Sequence, residues 1–245
     1  MKYCYRHKLP VGSSNAELSR QNAIHVAGHA AAICLYNKQN KLPPIFFRIS
    51  QYAEAYNNHG IYTAQIEDGC LIPTPPSTWE QATDGFSPDQ KRDYERAFKA
   101  DIINLLAGPL AEAKHVALRN GEKISPRAVI LNALHYYGGC SDLNLAYDYL
   151  ACFMGHHQSQ HKTKQLFFSA FEFINAYPKW QAINALADYM LTAPKAYIDC
   201  EEAFTVLNTS TGLKPLLSFS KQSRTNSNQS RTLGYSRFQI PCHAK

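Results

Sequence analysis

The sequence predicts a mainly α fold, of the α+β kind, with a small sheet of two or three strands. Apolar residues recur with helical spacing along most of the chain, most clearly between residues 88 and 118. Two short stretches, 41–50 and 60–67, instead have the pattern of strands, the second through its alternating side chains. A chain with both patterns and a majority of helices is typical of a layered α+β domain.

The predicted helices are separated by capping residues, prolines and loops. The first is predicted at 15–38, where Ser14 or Asn15 can cap its start. The proline-rich stretch 71–90, which follows the two strands, is predicted to be a loop. In the long helix after it, Pro109 falls within the apolar register and implies a kink or a break. Further helices are predicted at 138–154, 162–190 and 195–208.

Charge and composition divide the chain into three parts. Residues 1–14 are predicted to be an N-terminal extension, 15–217 one folded domain, and 218–245 a disordered basic tail. The formal net charge is +6, and five basic side chains without an acid give the tail +5, which leaves +1 for the rest. A nearly neutral domain gives no reason to expect nucleic-acid binding.

Cysteine usage and hydropathy bear on location. The seven cysteines form no C-x-x-C pair, which suits reduced thiols in a cytosolic protein better than a disulfide framework. The first twenty residues lack an apolar h-region, and no apolar run approaches the roughly 18–20 residues that span a bilayer. We therefore expect a cytoplasmic protein, or one exported without a cleavable signal peptide, and its oligomeric state stays open.

Two histidines stand four residues apart in the first predicted helix, within the stretch AIHVAGHAAAICLY. Side chains at i and i+4 share one face of a helix, so His25 and His29 can direct both imidazoles at one ion. Zinc accepts neutral imidazole nitrogens, and its catalytic sites use three protein ligands and a water. The same spacing also arises by chance, and each histidine can instead be a polar group satisfied within the fold.

Two further stretches accompany this pair, IINLLAGPLAEA at 102–113 and GGCSDLNLAYDYLACFM at 138–154. In this order the three stretches resemble the peptidase domain of the FtsH family of ATP-dependent zinc metalloproteases. That family's His-Glu-Ala-Gly-His signature is matched at four of five positions, His25, Ala27, Gly28 and His29. The resemblance covers about residues 15–208 and does not extend to the ATPase module or the membrane anchor of that family.

The resemblance implies a zincin-like helical peptidase domain that holds Zn²⁺ through His25, His29 and Asp142. It also aligns Glu112 with a family glutamate near the site, which would orient a histidine. From the residues alone, Asp142 is better explained as an acid in the first turn of a helix, where it interacts favourably with the helix dipole. Likewise, Glu112 is explained as a carboxylate on a helix surface.

The departure from the signature lies at Val26, where the family has the glutamate that takes a proton from the zinc-bound water. Valine has no proton acceptor, and loss of a positioned base costs on the order of 10²–10⁴ in rate. Since Val26 lies about 100° around the helix from His25, we expect it to face the site as an apolar wall. A glutamate placed there should then be tolerated by the fold.

Two classes of function follow. The first is a catalytically impaired, zinc-binding peptidase-like protein that acts by binding a peptide or protein partner. The second is an active zinc-dependent hydrolase with a relocated base, for which Glu54, Glu67 and Asp68 are candidates, although all three are also explained as ordinary solvated acids. A third interpretation is that Val26 is a variant or engineered residue, since one codon base separates glutamate from valine.

Overall fold

The computed structural model describes residues 14–56, 59–74, 78–125, 131–153, 159–192 and 195–210. The predicted tail at 218–245 and nearly all of the extension at 1–14 lie outside these residues. Most of the described chain is helical, and it holds a small antiparallel sheet, which confirms the predicted mainly α fold class. The described residues include no helix that combines the length and the apolar character needed to cross a bilayer.

The first helix, α1 (Asn15–Ala31), begins at Ser14, whose hydroxyl accepts a hydrogen bond from Glu17 N at 3.2 Å. It continues through a π-helical turn (Ala32–Tyr36) into the short α2 (Asn37–Gln39). Every residue from 21 to 33 is buried, so this part of α1 is enclosed on all sides. It packs against two later helices, α4 (Pro88–Arg119) and α7 (Tyr177–Thr192), and against the strand β2 (His59–Asp68). Gly28 permits the close approach to α4. Both histidines therefore stand on a central helix and not at the surface.

The sheet has the strand order β2-β1-β3, formed by β1 (Phe47–Tyr56), β2 (His59–Asp68) and β3 (Tyr197–Asp199). Both pairings are antiparallel, and Ile49 of β1 lies opposite Ile66 of β2 and Ile198 of β3. These three side chains are buried in the core. The predicted helix at 195–208 is thus wrong at its start, because residues 197–199 pair with β1 and the helix begins only afterwards.

Most of the remaining helices pack against α1 or α4. The longest, α4 (Pro88–Arg119), begins with a capping box between Ser87 and Gln90 and continues through Pro109, so the predicted break is excluded. The predicted loop at 71–90 contains one turn of helix, α3 (Trp79–Ala82). The other helices are α5 (Cys140–Phe153), α6 (Ser159–Asn175), α7 (Tyr177–Thr192) and α8 (Cys200–Ser210).

Candidate metal centre

The two histidines of α1 meet at their outer ring nitrogens. Nε2 of His25 lies 3.0 Å from Nε2 of His29, and the ring centroids are 4.8 Å apart. The residues are 4% and 1% exposed, respectively. The helical spacing that predicted a shared face is therefore realised, and the two rings converge at one buried point.

Asp142 joins them from the first turn of α5. Its Oδ2 lies 3.2 Å from Nε2 of His25 and 3.5 Å from Nε2 of His29. The carboxyl group is also buried, and the three residues form a group whose ligand atoms lie within 4.8 Å of one another. Residues that are 117 positions apart in the chain thus form one cluster, which could hold a metal ion.

The inner ring nitrogens are also engaged, and both partners belong to α4. Nδ1 of His29 lies 2.7 Å from the backbone carbonyl of Asn104, which can only accept, so Nδ1 carries the proton. Nδ1 of His25 lies 3.0 Å from Oε2 of Glu112, whose carboxylate accepts in the same way. In the neutral rings both Nε2 atoms then carry lone pairs, and two lone pairs 3.0 Å apart repel unless a proton or a cation lies between them.

The donor atoms lie close enough together for one metal ion to bind all three. Ligands at the zinc distances of about 2.0–2.2 Å lie about 3.3–3.6 Å from one another when the geometry is tetrahedral. The three separations here are 3.0, 3.2 and 3.5 Å. In addition, Oδ1 of Asp142 is buried without a hydrogen-bond partner among the described residues, a state that normally has a reason such as an ion or a water.

Charges within the cluster shift two pKa values in opposite directions. Burial alone would lower the pKa of His25, but hydrogen bonds to Asp142 and Glu112 together with the charges of these groups outweigh it and raise the pKa to about 9. Burial would raise the pKa of Asp142, but the two histidines outweigh it and lower the pKa to about 2. Without a metal, a proton on His25 thus takes the place of the cation.

This ion pair predicts a pH profile for the metal-free protein. The stabilisation from His25 is complete below its ordinary pKa of 6.5 and is lost as the pH rises through about 9. The stabilisation from Asp142 is complete above its ordinary pKa of 3.8 and is lost as the pH falls through about 2. We therefore expect the melting temperature, measured with a chelator, to fall on both sides of the range from about 4 to 6.5.

The matched control is Asp142→Asn, which removes the titrating group of the acid side and one of the two carboxylates that raise the pKa of His25. The profile should become flat on the acid side and shallower on the alkaline side. Added zinc should stabilise the wild-type protein more strongly as the pH rises from 6.5 to 9, because the ligand nitrogens must lose their protons. If the wild-type protein, measured with a chelator, showed the same pH dependence of the melting temperature as Asp142→Asn, the expectation would be wrong.

Val26, in contrast, does not face an open cleft. The residue is 2% exposed and belongs to the hydrophobic core formed around α1 and α4. The expectation that a glutamate is readily tolerated at this position is therefore wrong, because a carboxylate would enter an apolar and closed environment. Val26 follows His25 directly in α1, and its side chain is apolar and buried.

Of the candidate replacement bases, the two with described side chains do not join the cluster. Glu67 points to the outer face of the sheet, where its Oε1 accepts from Ser50 Oγ at 3.1 Å, while its neighbour Ile66 faces the core. Asp68 is exposed at the end of β2. Glu54 lies in β1, but its side chain is outside the described part of the structure. Neither described acid therefore stands beside the metal ligands.

Two residues of the site were missed by sequence reasoning. Asn104 acts through its backbone carbonyl, which any residue could supply, so no side-chain pattern identifies it. Gly108 lies directly against the ring of His29, and the only signal was its place within the glycine-containing stretch of the long helix. Glu112 and Asp142, for which the sequence left two interpretations, both lie against His25.

No protein-family model, curated protein or solved structure matches the chain. The conclusions that follow therefore depend on the geometry of the cluster and on the sequence motifs.

Proposed function

We propose that this chain is a zinc-binding protein with an FtsH-type, peptidase-like domain, and that it is catalytically impaired and acts by binding a peptide or protein partner. The observation that carries the proposal is the meeting of His25, His29 and Asp142 at one buried point, with Val26 in the position after the first histidine. The order of the three sequence stretches supports the family assignment.

The choice of zinc rests on donor chemistry and on the resemblance to zinc metalloproteases. Two imidazole nitrogens and one carboxylate oxygen are ligands that zinc accepts in tetrahedral sites, with a water in the fourth position. The same donor types also hold iron(II) in octahedral sites with open positions. At bond lengths of about 2.0–2.2 Å, adjacent ligands lie about 2.8–3.1 Å apart in an octahedral site and about 3.3–3.6 Å apart in a tetrahedral one. The separations of 3.0, 3.2 and 3.5 Å therefore do not select a geometry, and the resemblance to zinc metalloproteases is what favours zinc over iron.

Each residue of the cluster has a definite task in this proposal. Glu112 and the carbonyl of Asn104 hold the imidazoles so that both Nε2 atoms are free to bind, and Asp142 supplies the third ligand atom. Zinc, when bound, lowers the pKa of its water toward about 7. Val26 cannot accept a proton from this water, and the described acids outside the cluster do not replace the missing base.

An active hydrolase with a relocated base is the second candidate. It is favoured by the presence of all three ligands, since a chain with no use for a reactive metal-bound water need not keep a site of the catalytic type. Hydrolysis of unfolded casein separates the two candidates. The first expects negligible cleavage by the zinc-loaded wild-type protein, and the second expects cleavage that a chelator abolishes.

The proposal predicts one zinc per chain in protein purified without added metal. Elemental analysis should cover iron and manganese as well as zinc, and His29→Ala should remove the metal because only two ligands remain. The matched control is His135→Ala, since His135 is an exposed histidine outside the cluster. A folded wild-type protein that takes up no metal even when zinc is supplied would rule out the site.

A further inference from the structure

Three residues of α4 with four-residue spacing contact the two histidines. Asn104 accepts from Nδ1 of His29, Glu112 accepts from Nδ1 of His25, and Gly108 lies between them. Residues four apart occupy one face of a helix, so the three form a continuous stripe toward α1. The inner nitrogens of both rings are thus held by a single rigid element.

Gly108 provides the space for the ring of His29. A Cβ atom at this position would overlap Nε2 of His29 and lie 2.6 Å from its Cδ2 and Cε1. Real Cβ atoms do not approach other atoms this closely, so the ring cannot keep its place beside any other residue. Since Nε2 is the atom that turns toward Asp142, the overlap falls on the ligand nitrogen itself.

Gly28 has a different role at the same helix crossing. A Cβ there would lie 2.7 Å from the carbonyl oxygen of Ala107, 2.8 Å from Cβ of Ala111 and 3.1 Å from Cα of Gly108, all of which belong to α4. Gly28 therefore permits the close approach of α1 to α4, whereas Gly108 makes room for one imidazole. The two glycines provide a matched pair for an experiment.

We propose that Gly108 is a positioning residue for the metal centre: its missing side chain allows His29 to lie across α4, reach the carbonyl of Asn104 with Nδ1 and present Nε2 to the metal. This inference rests on the proposed metal site for its function. The steric part, however, concerns the metal-free protein and can be tested without any metal.

The test is a double-mutant cycle on unfolding, with a chelator present. Gly108→Ala should lower the folding equilibrium constant about 10–100-fold, as overpacking of a closed core does. In a His29→Ala background the obstructing ring is absent, so the same change should cost at least tenfold less. Gly28→Ala, the control, should cost the same in both backgrounds within about twofold, because its clash is with α4.

Binding of Co²⁺, followed by its visible absorption, provides the second readout. Gly108→Ala should weaken it by about 100-fold and reduce the absorption of a tetrahedral site, because one of the ligands is displaced. A cost of Gly108→Ala that is unchanged by His29→Ala, or Co²⁺ binding that Gly108→Ala leaves unchanged, overturns the inference. Failure of the wild-type protein to bind any metal would instead overturn the proposed function and leave the cycle interpretable.

Discussion

Asp142→Asn is expected to lower the affinity for zinc by about 10²–10³-fold. A neutral amide oxygen is a much weaker zinc ligand than a carboxylate, and the roughly 10–16 kcal/mol with which proteins hold structural zinc is divided among only a few ligands. Oδ2 of Asp142 is the atom that lies against both histidine nitrogens, at 3.2 and 3.5 Å. Asparagine keeps the shape of the side chain, so the loss reports on the ligand and not on packing.

Asp148→Asn is the matched control, because Asp148 lies on the same helix but is exposed. It should leave zinc binding unchanged when both variants are titrated against a chromogenic chelator. An Asp142→Asn protein that binds zinc as tightly as the wild-type protein would show that the carboxylate is not a ligand. The interpretation of Asp142 as a first-turn acid alone would then be correct.

The sequence predicted those parts of the site that depend on local geometry. The four-residue spacing of His25 and His29 determines that they share a face, whatever else the helix contacts. The approach of Asp142 depends on how α5 packs against α4, which no local pattern contains. The resemblance indicated it through the order of the motifs, and the distances are consistent with that role.

The other differences between the predicted and the observed structure also arise from tertiary contacts, which a local sequence pattern does not contain. Residues 197–199 form a strand only because β1 offers an edge to pair with, and three residues are too few for an alternating pattern to be recognised. The helical angle of Val26 predicts which way its side chain turns, but an angle does not reveal what lies opposite. Because α1 is enclosed by α4, α7 and β2, a position beside the ligands is also a core position.

Val26→Glu combines the largest cost in stability with the largest expected gain in activity. In the metal-free protein a carboxylate at a position that is 2% exposed is an unpaired buried charge, so the free energy of unfolding should fall by about 3–5 kcal/mol. Bound zinc should recover part of this loss, since a cation close to His25 and His29 attracts the new carboxylate. Thermal melts with zinc and with a chelator measure both effects.

The same variant tests why the wild-type protein should be inactive. The helix angle predicts that the glutamate of Val26→Glu turns toward the metal-bound water. The zinc-loaded variant should then cleave unfolded casein, whereas the wild-type protein should not. Val26→Gln is the matched control, because it has the same length and polarity without a base and should stay inactive. A chelator, or a second change of His25→Ala, should abolish the activity that Val26→Glu gains.

Cleavage by the wild-type protein and inactivity of Val26→Glu are the two outcomes opposite to those expected, and each contradicts one part of the proposal. Zinc-dependent cleavage by the wild-type protein would mean that another residue acts as the base, and the impaired-enzyme assignment would be wrong. A zinc-loaded Val26→Glu protein without activity would mean that the absent glutamate is not the sole barrier to hydrolysis. The burial of all three ligands, each at most 4% exposed, would then be the stronger barrier, because a polypeptide substrate must reach the metal before any base can act.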